Sequence, residues 1–176
     1  MILKVARLGH PILRKIAAPV PPEQITTPAV QQFIDDLIET MYEYDGAGLA
    51  APQVHVSQQI VAMEVSHNPR YPQAPSIPLT VYINPEITPL TDTTDEDWEG
   101  CLSVPGLRGR VPRYTKIRLQ AYDRQGKRVD FIVEGFHARV IQHECDHLQG
   151  KVYLDRMRDM SSLTFMEEFM KYTLRE

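Results

Sequence analysis

The first clear pattern along the chain is a helical repeat of apolar residues after Thr27-Pro28. These residues recur at intervals of three and four: Val30, Phe33, Ile34, Leu37, Ile38 and Met41. This spacing places them on one face of an α-helix. Because threonine is a good N-cap and proline a good first helical residue, we predict a helix that begins at Pro28 and ends before Gly46.

Two strands are predicted in the segment that follows. Gln59 to Val65 alternates weakly and is rich in β-formers, and Thr80 to Ile83 has the same composition. Asn84-Pro85 is expected to stop the second strand. Asn68 to Pro78 contains four prolines, which predicts an irregular surface loop between the two strands.

A hairpin and two helices are predicted in the second half of the chain. Lys116 to Tyr122 and Arg128 to Val133 alternate on either side of the turn sequence 123–127. The proline-free stretch that starts at Gly135 predicts a helix that stops at Gly150. A last amphipathic helix is expected at about residues 162–173.

The order of these elements predicts the fold class. Because strands precede one central helix, we expect an α+β fold in which mixed, mostly antiparallel strands surround that helix. The 176 residues, of which 43% are apolar, suit one catalytic domain over residues 1–176. Its core is expected to span about residues 3–158.

Composition argues against several classes of partner. The net charge of −4 gives no sign of nucleic-acid binding, and no apolar run is long enough to cross a membrane. The N-terminal residues do not resemble a secretory signal. Cys101 and Cys145 are too few for a disulfide framework and fit a reducing compartment. These features predict a soluble, cytoplasmic protein.

The strongest chemical signal is His143-Glu144-Cys145-Asp146-His147, an H-E-x-x-H run inside the predicted central helix. Two histidines four apart share a helix face and can bind one metal ion, while the glutamate acts as a general base toward water. Phe136 and Val140 continue the same stripe toward the core. The alternative is a helix with two hydrogen-bonded core histidines.

A catalytic metal site usually has three protein ligands and one open position. Cys145 is a poor third ligand, because it faces away from both histidines. Cys101 is the better choice, since Gly100 before it allows a close approach and a thiolate suits Zn or Fe(II). The alternative for Cys101 is an inert buried thiol.

A third segment, Gly46-Ala47-Gly48-Leu49-Ala50-Ala51-Pro52-Gln53, is composed mainly of small residues. Its two first glycines allow the backbone to approach a ligand or simply form a tight turn. The side-chain amide of Gln53 could donate a hydrogen bond to an oxyanion. This segment is therefore a candidate part of the same site.

Together the three segments resemble the peptide deformylase family, which carries G-x-G-x-A-A-x-Q, E-G-C-x-S and H-E-x-D-H in this order. The second motif is present as Glu99-Gly100-Cys101-Leu102-Ser103. His10-Pro11-Ile12-Leu13-Arg14, Ile83-Asn84-Pro85 and the residues flanking the H-E-x-x-H run also resemble the family. The resemblance extends from about residue 3 to about residue 158.

The resemblance implies a metal-dependent hydrolase that removes the N-formyl group from N-formylmethionyl nascent polypeptides and releases formate. It implies Fe(II) as the cofactor, with Zn(II), Ni(II) or Co(II) able to substitute. The partner would be the nascent chain at the ribosome exit, and the enzyme a monomer. One departure is Ala47, where the family usually has Val or Ile, so the side-chain pocket is expected to be larger here.

The resemblance also implies residue roles. Cys101, His143 and His147 would hold the metal, Glu144 would move the proton, and Gln53 with the Leu102 backbone N–H would stabilise the oxyanion. The remaining site residues would bind substrate: Gly46, Ala47, Gly48, Glu99, Arg108, Phe136 and Val140. Asp146 could orient the site through an arginine such as Arg113, or be an exposed helix charge.

Two other readings of the sequence remain. A zinc peptidase would take its third ligand downstream, with Glu167 or Glu168 as candidates, while the position of a third histidine holds Tyr153. A metal-stabilised binding module would need four protein ligands. Neither reading explains Cys101 as well as the deformylase resemblance does.

Overall fold

The computed structural model describes residues 1–66 and 74–174. Its main helices are α1 (Pro28–Glu43), α2 (Gly135–Leu148) and the short α3 (Met166–Glu168), which continues as a π-helical turn over Phe169–Thr173. The strands are β1 (Gly48–Ala50), β2 (Ile60–Val65), β3 (Ile77–Pro89), β4 (Thr94–Cys101), β5 (Val104–Tyr114), β6 (Lys116–Tyr122), β7 (Arg128–Glu134) and β8 (Thr164–Phe165).

The strands form two antiparallel sheets, which confirms the predicted α+β class. Five strands pair in the order β1-β2-β3-β6-β7, and three pair in the order β4-β5-β8. None of the helices in the described ranges 1–66 and 74–174 has both the length and the apolar character needed to cross a membrane.

The larger sheet lies between α1 and α2. Alternate residues of a strand face opposite sides, and β2 shows this directly. Its Ile60 and Ala62 share a buried cluster with residues of α1, whereas Val61 and Met63 share another with residues of α2. Both faces of the sheet are therefore buried at β2, whereas β7 at the edge is largely exposed on one face. Apolar residues along the length of α2 pack against one face of the sheet.

The predicted α1, the β6–β7 hairpin and α2 are confirmed. Thr27 does not cap α1 with its side chain, since its hydroxyl donates to the Gln24 carbonyl instead. Helix α2 ends at Leu148, and Gly150 follows with a φ of +70°. This left-handed conformation is the one in which glycine commonly ends a helix.

The prediction that Asn84-Pro85 stops the second strand is wrong. Strand β3 continues through both residues to Pro89, with a register shift between Ile83 and Glu86. Asn84 takes a φ of +51°, and its side chain hydrogen-bonds both the N–H and the carbonyl of Val20 at 2.8 Å. These bonds hold a bulge inside the strand rather than a strand end.

The remaining differences between prediction and structure lie in segments whose sequence is polar or irregular. Strands β4 and β5 were not predicted, because β4 begins with exposed polar residues and β5 contains two prolines and two glycines. The expected C-terminal helix begins only at Met166, since Thr164–Phe165 pairs with β5. Most of the proline-rich loop falls outside the described residues, and its last residue, Pro78, already belongs to β3.

We expect Gly150→Ala to destabilise the fold by about 2–4 kcal/mol. An added Cβ would lie 2.6 Å from the Arg14 carbonyl oxygen, in a backbone conformation that L-residues rarely adopt. Gly126 is the matched control, because its φ is +78° but a Cβ there would meet its nearest atom at an ordinary 3.6 Å. Denaturant unfolding of both alanine variants measures the loss in the free energy of unfolding. Equal losses in the two variants would contradict the role of the clash at position 150.

Candidate metal centre

Helix α2 carries two histidines that face the same buried space. His143 and His147 are 9% and 1% exposed, and their ring centroids lie 5.1 Å apart. Glu144 is also buried. The one-turn spacing of residues four apart puts both imidazoles on the same helix face, as the sequence predicted.

The hairpin formed by β4 and β5 brings Cys101 to the same place. Cys101 is the last residue of β4 and pairs with Val104 across a turn made by Leu102 and Ser103. Its Sγ lies 3.4 Å from His147 Nε2. One ligand atom from each of Cys101, His143 and His147 lies within 4.8 Å of the other two. The structure therefore brings together the three residues predicted as ligands.

The Glu99 carboxylate holds one member of this group, His143, in a fixed orientation. It accepts hydrogen bonds from His143 Nδ1 at 2.7 Å, from Arg113 at 2.8 and 2.9 Å, and from Arg139 at 2.9 Å. Burial opposes its ionisation, but Arg113 and His143 outweigh burial and hold the pKa of Glu99 well below its usual value. Because Nδ1 of His143 is engaged, Nε2 is left to face the ligand group.

Charged side chains also connect the β4–β5 hairpin to helix α2. Arg139 of α2 donates to the carbonyls of Val111 and Asp95, each at 2.7 Å, as well as to Glu99. Arg113 of β5 donates to Asp146 of α2 at 2.5 Å. Of the two roles considered for Asp146, the structure supports the buried partner of Arg113 rather than the exposed charge.

Sequence reasoning missed Arg139 as a site residue. It precedes His143 by four positions, so it lies on the same helix face. An arginine on a stripe that otherwise points inward is the signal that could have identified it, because arginine is rarely buried unless it is paired.

Gln53 is fixed with its amide nitrogen toward the site. Its Oε1 accepts from the Ala50 N–H at 2.9 Å, which determines the orientation of the amide. Its Nε2 donates to Ser103 Oγ at 3.1 Å and lies 3.5 Å from Cys101 Sγ. The Gln53 N–H groups therefore face the space beside the thiol. Ser103, which the sequence analysis noted only as part of a motif, supports Gln53 in this position.

Gly48 lies against the carboxyl group of Glu144. A Cβ built on Gly48 would fall 2.4 Å from Glu144 Oε1 and 2.6 Å from its Cδ. No side chain fits between β1 and α2 here. The role of this glycine is therefore to let the strand approach the helix closely, and not to permit a left-handed turn. Burial raises the pKa of the Glu144 carboxyl, against the opposing effect of the two histidines.

A cavity with about 440 Å³ of atom-free space, its open mouth included, adjoins the ligand group. Most of the predicted site residues line it: Ala47, Gly48, Gln53, Glu99, Cys101, Leu102, Phe136, Val140, His143 and Glu144. Gly46, Arg108 and His147 do not. A Cβ on Gly46 would meet Leu102 Cδ1 at 3.0 Å, and the Arg108 guanidinium lies 5.4 Å from the centre of the Phe169 ring.

Cys145 lies outside the metal group, as its helix position predicted. It is half-buried against the apolar core on the sheet side of α2, and burial raises the pKa of its thiol. For Cys101, burial also opposes ionisation, but His147 and His143 hold its pKa well below the usual value. The two thiols therefore differ in environment, and the environment of Cys101 is the one that favours a thiolate.

The donor set fits a divalent transition metal. One thiolate and two imidazoles suit Zn or Fe(II), and all three residues are buried. Among the described residues, no fourth side chain joins this group of candidate ligands. Glu167 and Glu168, considered as peptidase ligands, are exposed on the C-terminal helical segment, and the Tyr153 ring stacks on His143 with centroids 6.3 Å apart.

Comparison with known proteins identifies the family of the chain. Residues 2–162 match the family model described as polypeptide deformylase. Over 167 residues the chain is 50% identical to peptide deformylase 1 of Bordetella pertussis, covering 95% of this chain and 94% of the relative. It is 47% identical to peptide deformylase 2 of Pseudomonas syringae over 95% of this chain and 93% of that protein.

Solved structures give the same result. The Met-Ala-Ser-bound class I type b peptide deformylase from Acinetobacter baumannii superposes with a TM-score of 0.86 at 39% identity, covering 89% of this chain and 99% of that chain. The actinonin complex of a Synechococcus elongatus peptide deformylase gives a TM-score of 0.80 at 32% identity, covering 96% and 85%.

We expect Cys101→Ser to lose most of the bound metal, whereas Cys145→Ser keeps a wild-type amount. Serine replaces the soft thiolate in the first variant, but in the second it changes a side chain that points away from both histidines. Metal analysis of the two purified variants after dialysis measures this. Loss of metal from Cys145→Ser with retention in Cys101→Ser would show that the ligand set is wrong.

Proposed function

The chain belongs to the polypeptide deformylase family and is a metal-dependent enzyme that removes the N-formyl group from nascent polypeptides; we propose that Cys101, His143 and His147 bind its metal and that Glu144 moves the proton. The observation that carries this assignment is the convergence of those three ligand atoms within 4.8 Å, beside a cavity that Glu144 and Gln53 also line.

The proposed reaction is hydrolysis of the formyl amide. When bound, the ion supplies Lewis acidity and activates water. Glu144 accepts a proton from the attacking water and returns it to the nitrogen of the leaving amine. The carbon–nitrogen bond then breaks, and formate and a free α-amine are released. The closeness of Gly48 to the Glu144 carboxyl supports this role, because the carboxyl has little freedom to turn away.

Gln53 and Leu102 are proposed to stabilise the charge that develops on the formyl oxygen. The bond from the Ala50 N–H fixes the Gln53 amide with its donors toward Cys101 and Ser103. The Leu102 backbone N–H follows directly after the Cys101 ligand. Donors that are held in place before the reaction cost no reorganisation during it.

The methionine side chain is proposed to occupy the apolar end of the cavity, against Phe136 and Val140. Ala47 also lines the cavity, and its single methyl group leaves more room than a valine or isoleucine would. Gly46 and Arg108, outside the lining, are proposed to contribute indirectly, Gly46 through its packing against Leu102.

Fe(II) is proposed as the native metal, with Zn(II), Ni(II) or Co(II) able to replace it. The mixed thiolate and imidazole donors are compatible with all four ions, and the preference for Fe(II) rests on the family. Metal analysis of protein purified under nitrogen from cells grown without added metals tests this. Zinc as the main ion at full occupancy would contradict the proposal.

We also propose that the enzyme acts as a cytoplasmic monomer on chains leaving the ribosome. The chemistry supports this setting, since the substrate amine is formylated only at the start of a nascent chain. Sedimentation of the enzyme alone and with translating ribosomes measures both properties. A stable dimer, or exclusion from translating ribosomes, would contradict the corresponding part.

We expect Glu144→Gln to bind metal normally and to lose about 10²- to 10⁴-fold in the rate of formate release from formyl-Met peptides. The substitution keeps the shape of the side chain and removes its ability to carry the proton. Formate is measured with the metal-loaded wild type and variant side by side. Wild-type turnover in the metal-loaded variant would refute the role of Glu144, and cleavage of unformylated internal peptide bonds would favour a peptidase.

We expect Gly48→Ala to lower kcat by about 10²-fold without loss of metal, because a shift of about 1 Å in a catalytic group has this effect. The added methyl group must displace the Glu144 carboxyl. The same substitution in a Glu144→Gln background provides the control. If Gly48→Ala acts through Glu144, it costs little further activity there; an undiminished additional loss would contradict that mechanism.

A further inference from the structure

A second, larger groove opens from the metal centre. It contains about 1740 Å³ of atom-free space, its open side included, and it shares Cys101 and Leu102 with the cavity described above. We call it the basic groove, after the side chains of Lys4, Arg7, His10 and His55 in its lining.

The charge of the basic groove is opposite in sign to that of the whole chain. The chain has a net charge of −4, yet no aspartate or glutamate is among the described residues that line the groove. Lys4 and Arg7 are both exposed, so their charged ends are available to a ligand. A groove lined by one sign of charge attracts ligands of the other sign.

The backbone holds Arg7 beside the site. The Ala6 N–H donates to the Gln53 carbonyl at 2.7 Å, and the Leu8 N–H donates to the Ser103 carbonyl at 2.8 Å. Arg7 therefore lies between two hydrogen bonds to segments that carry the site, rather than on a loose terminus. In the same lining, the His10 ring packs edge-on against His55, with centroids 4.7 Å apart.

The position of the substrate determines which way its chain leaves. The formyl amide must lie beside Cys101 and Glu144, while the methionine side chain extends toward Phe136 and Val140. The rest of the polypeptide branches from the same Cα as this side chain, so it points away from the end of the cavity that the side chain occupies. It therefore leaves past Cys101 and Leu102, where the basic groove begins.

A competing exit fits less well. Another pocket meets the cavity only at Phe136 and Arg139, at the end that holds the methionine side chain. It has about 500 Å³ of atom-free space and contains Asp95 and Asp97 in its lining. The lining also contains Arg113 and Arg139, but both are buried and paired with Glu99, whereas Asp95 and Asp97 are exposed. The exposed charges of the two exits therefore differ in sign, which makes the choice between them measurable.

We propose that the basic groove binds the substrate residues that follow formylmethionine and favours acidic side chains there, with Lys4 and Arg7 as specificity-determining residues. This inference rests on the proposed function, because it takes the metal centre as the place where the formyl amide reacts.

The test compares two peptides, formyl-Met-Ala-Glu-Glu-Ala and formyl-Met-Ala-Lys-Lys-Ala, both as amides. The wild type is expected to show kcat/KM about three- to tenfold higher for the acidic peptide at about 0.1 M salt, as solvent-exposed charge pairs allow. The preference should shrink at about 1 M salt, where the Debye length falls to about 3 Å.

Charge reversal identifies the residues responsible. The double variant Lys4→Glu/Arg7→Glu is expected to invert the preference while retaining its metal. The matched control is Lys15→Glu/Lys127→Glu, which makes the same change in net charge at two exposed positions outside the groove lining. The control should keep the wild-type ratio. Metal content and circular dichroism confirm that both variants fold.

Each result bears on the inference. An equal ratio for the wild type and the groove variant overturns it, as does a wild-type preference for the basic peptide, which would indicate exit past Asp95 and Asp97. Inversion in both double variants would show a general charge effect and also overturn it. No formate from any peptide would instead contradict the proposed function itself, so the two failures are distinguishable.

Discussion

The arrangement of the site depends on one buried carboxylate, that of Glu99. It accepts hydrogen bonds from two arginines and from His143, and it is 2% exposed. Removing such charges from water costs several kcal/mol per ion, and only close pairing offsets that cost. Because Glu99 lies on β4 while Arg139 and His143 lie on α2, satisfying the carboxylate requires the hairpin and the helix to meet in one relative position. That position brings Cys101 to His143 and His147.

Backbone packing adds a second constraint on the other side of α2. Strand β1 approaches the helix so closely at Gly48 that a Cβ would collide with the Glu144 carboxyl. The larger sheet, to which β1 belongs, is itself fixed by the apolar clusters on both of its faces. Charged hydrogen bonds from the hairpin thus fix the group of candidate ligands, and close packing against β1 fixes the Glu144 side chain. Gln53 completes the arrangement through its bonds to Ala50 and Ser103.

The sequence predicted those parts of the molecule in which local pattern and burial agree. Helix α1 and the β6–β7 hairpin have regular apolar periods, and the H-E-x-x-H run identifies one helix face by its spacing alone. The β4–β5 hairpin has no such period, because its buried positions include Glu99 and Arg113 and its edge is polar. Burial of those charges depends on partners that lie far along the chain, which no local pattern shows. The bulge at Asn84 was missed for the same reason, since its bonds are to Val20.

X-ray absorption at the metal edge of the purified holoenzyme tests the central claim most directly. The claim is that Glu99 and its arginines present one thiolate and two imidazoles to a single ion. For the zinc-loaded protein the account predicts one sulfur at about 2.3 Å and two nitrogens at about 2.0–2.1 Å, with the remaining shell filled by a light atom. A shell without sulfur, or with two sulfurs, would contradict the claim.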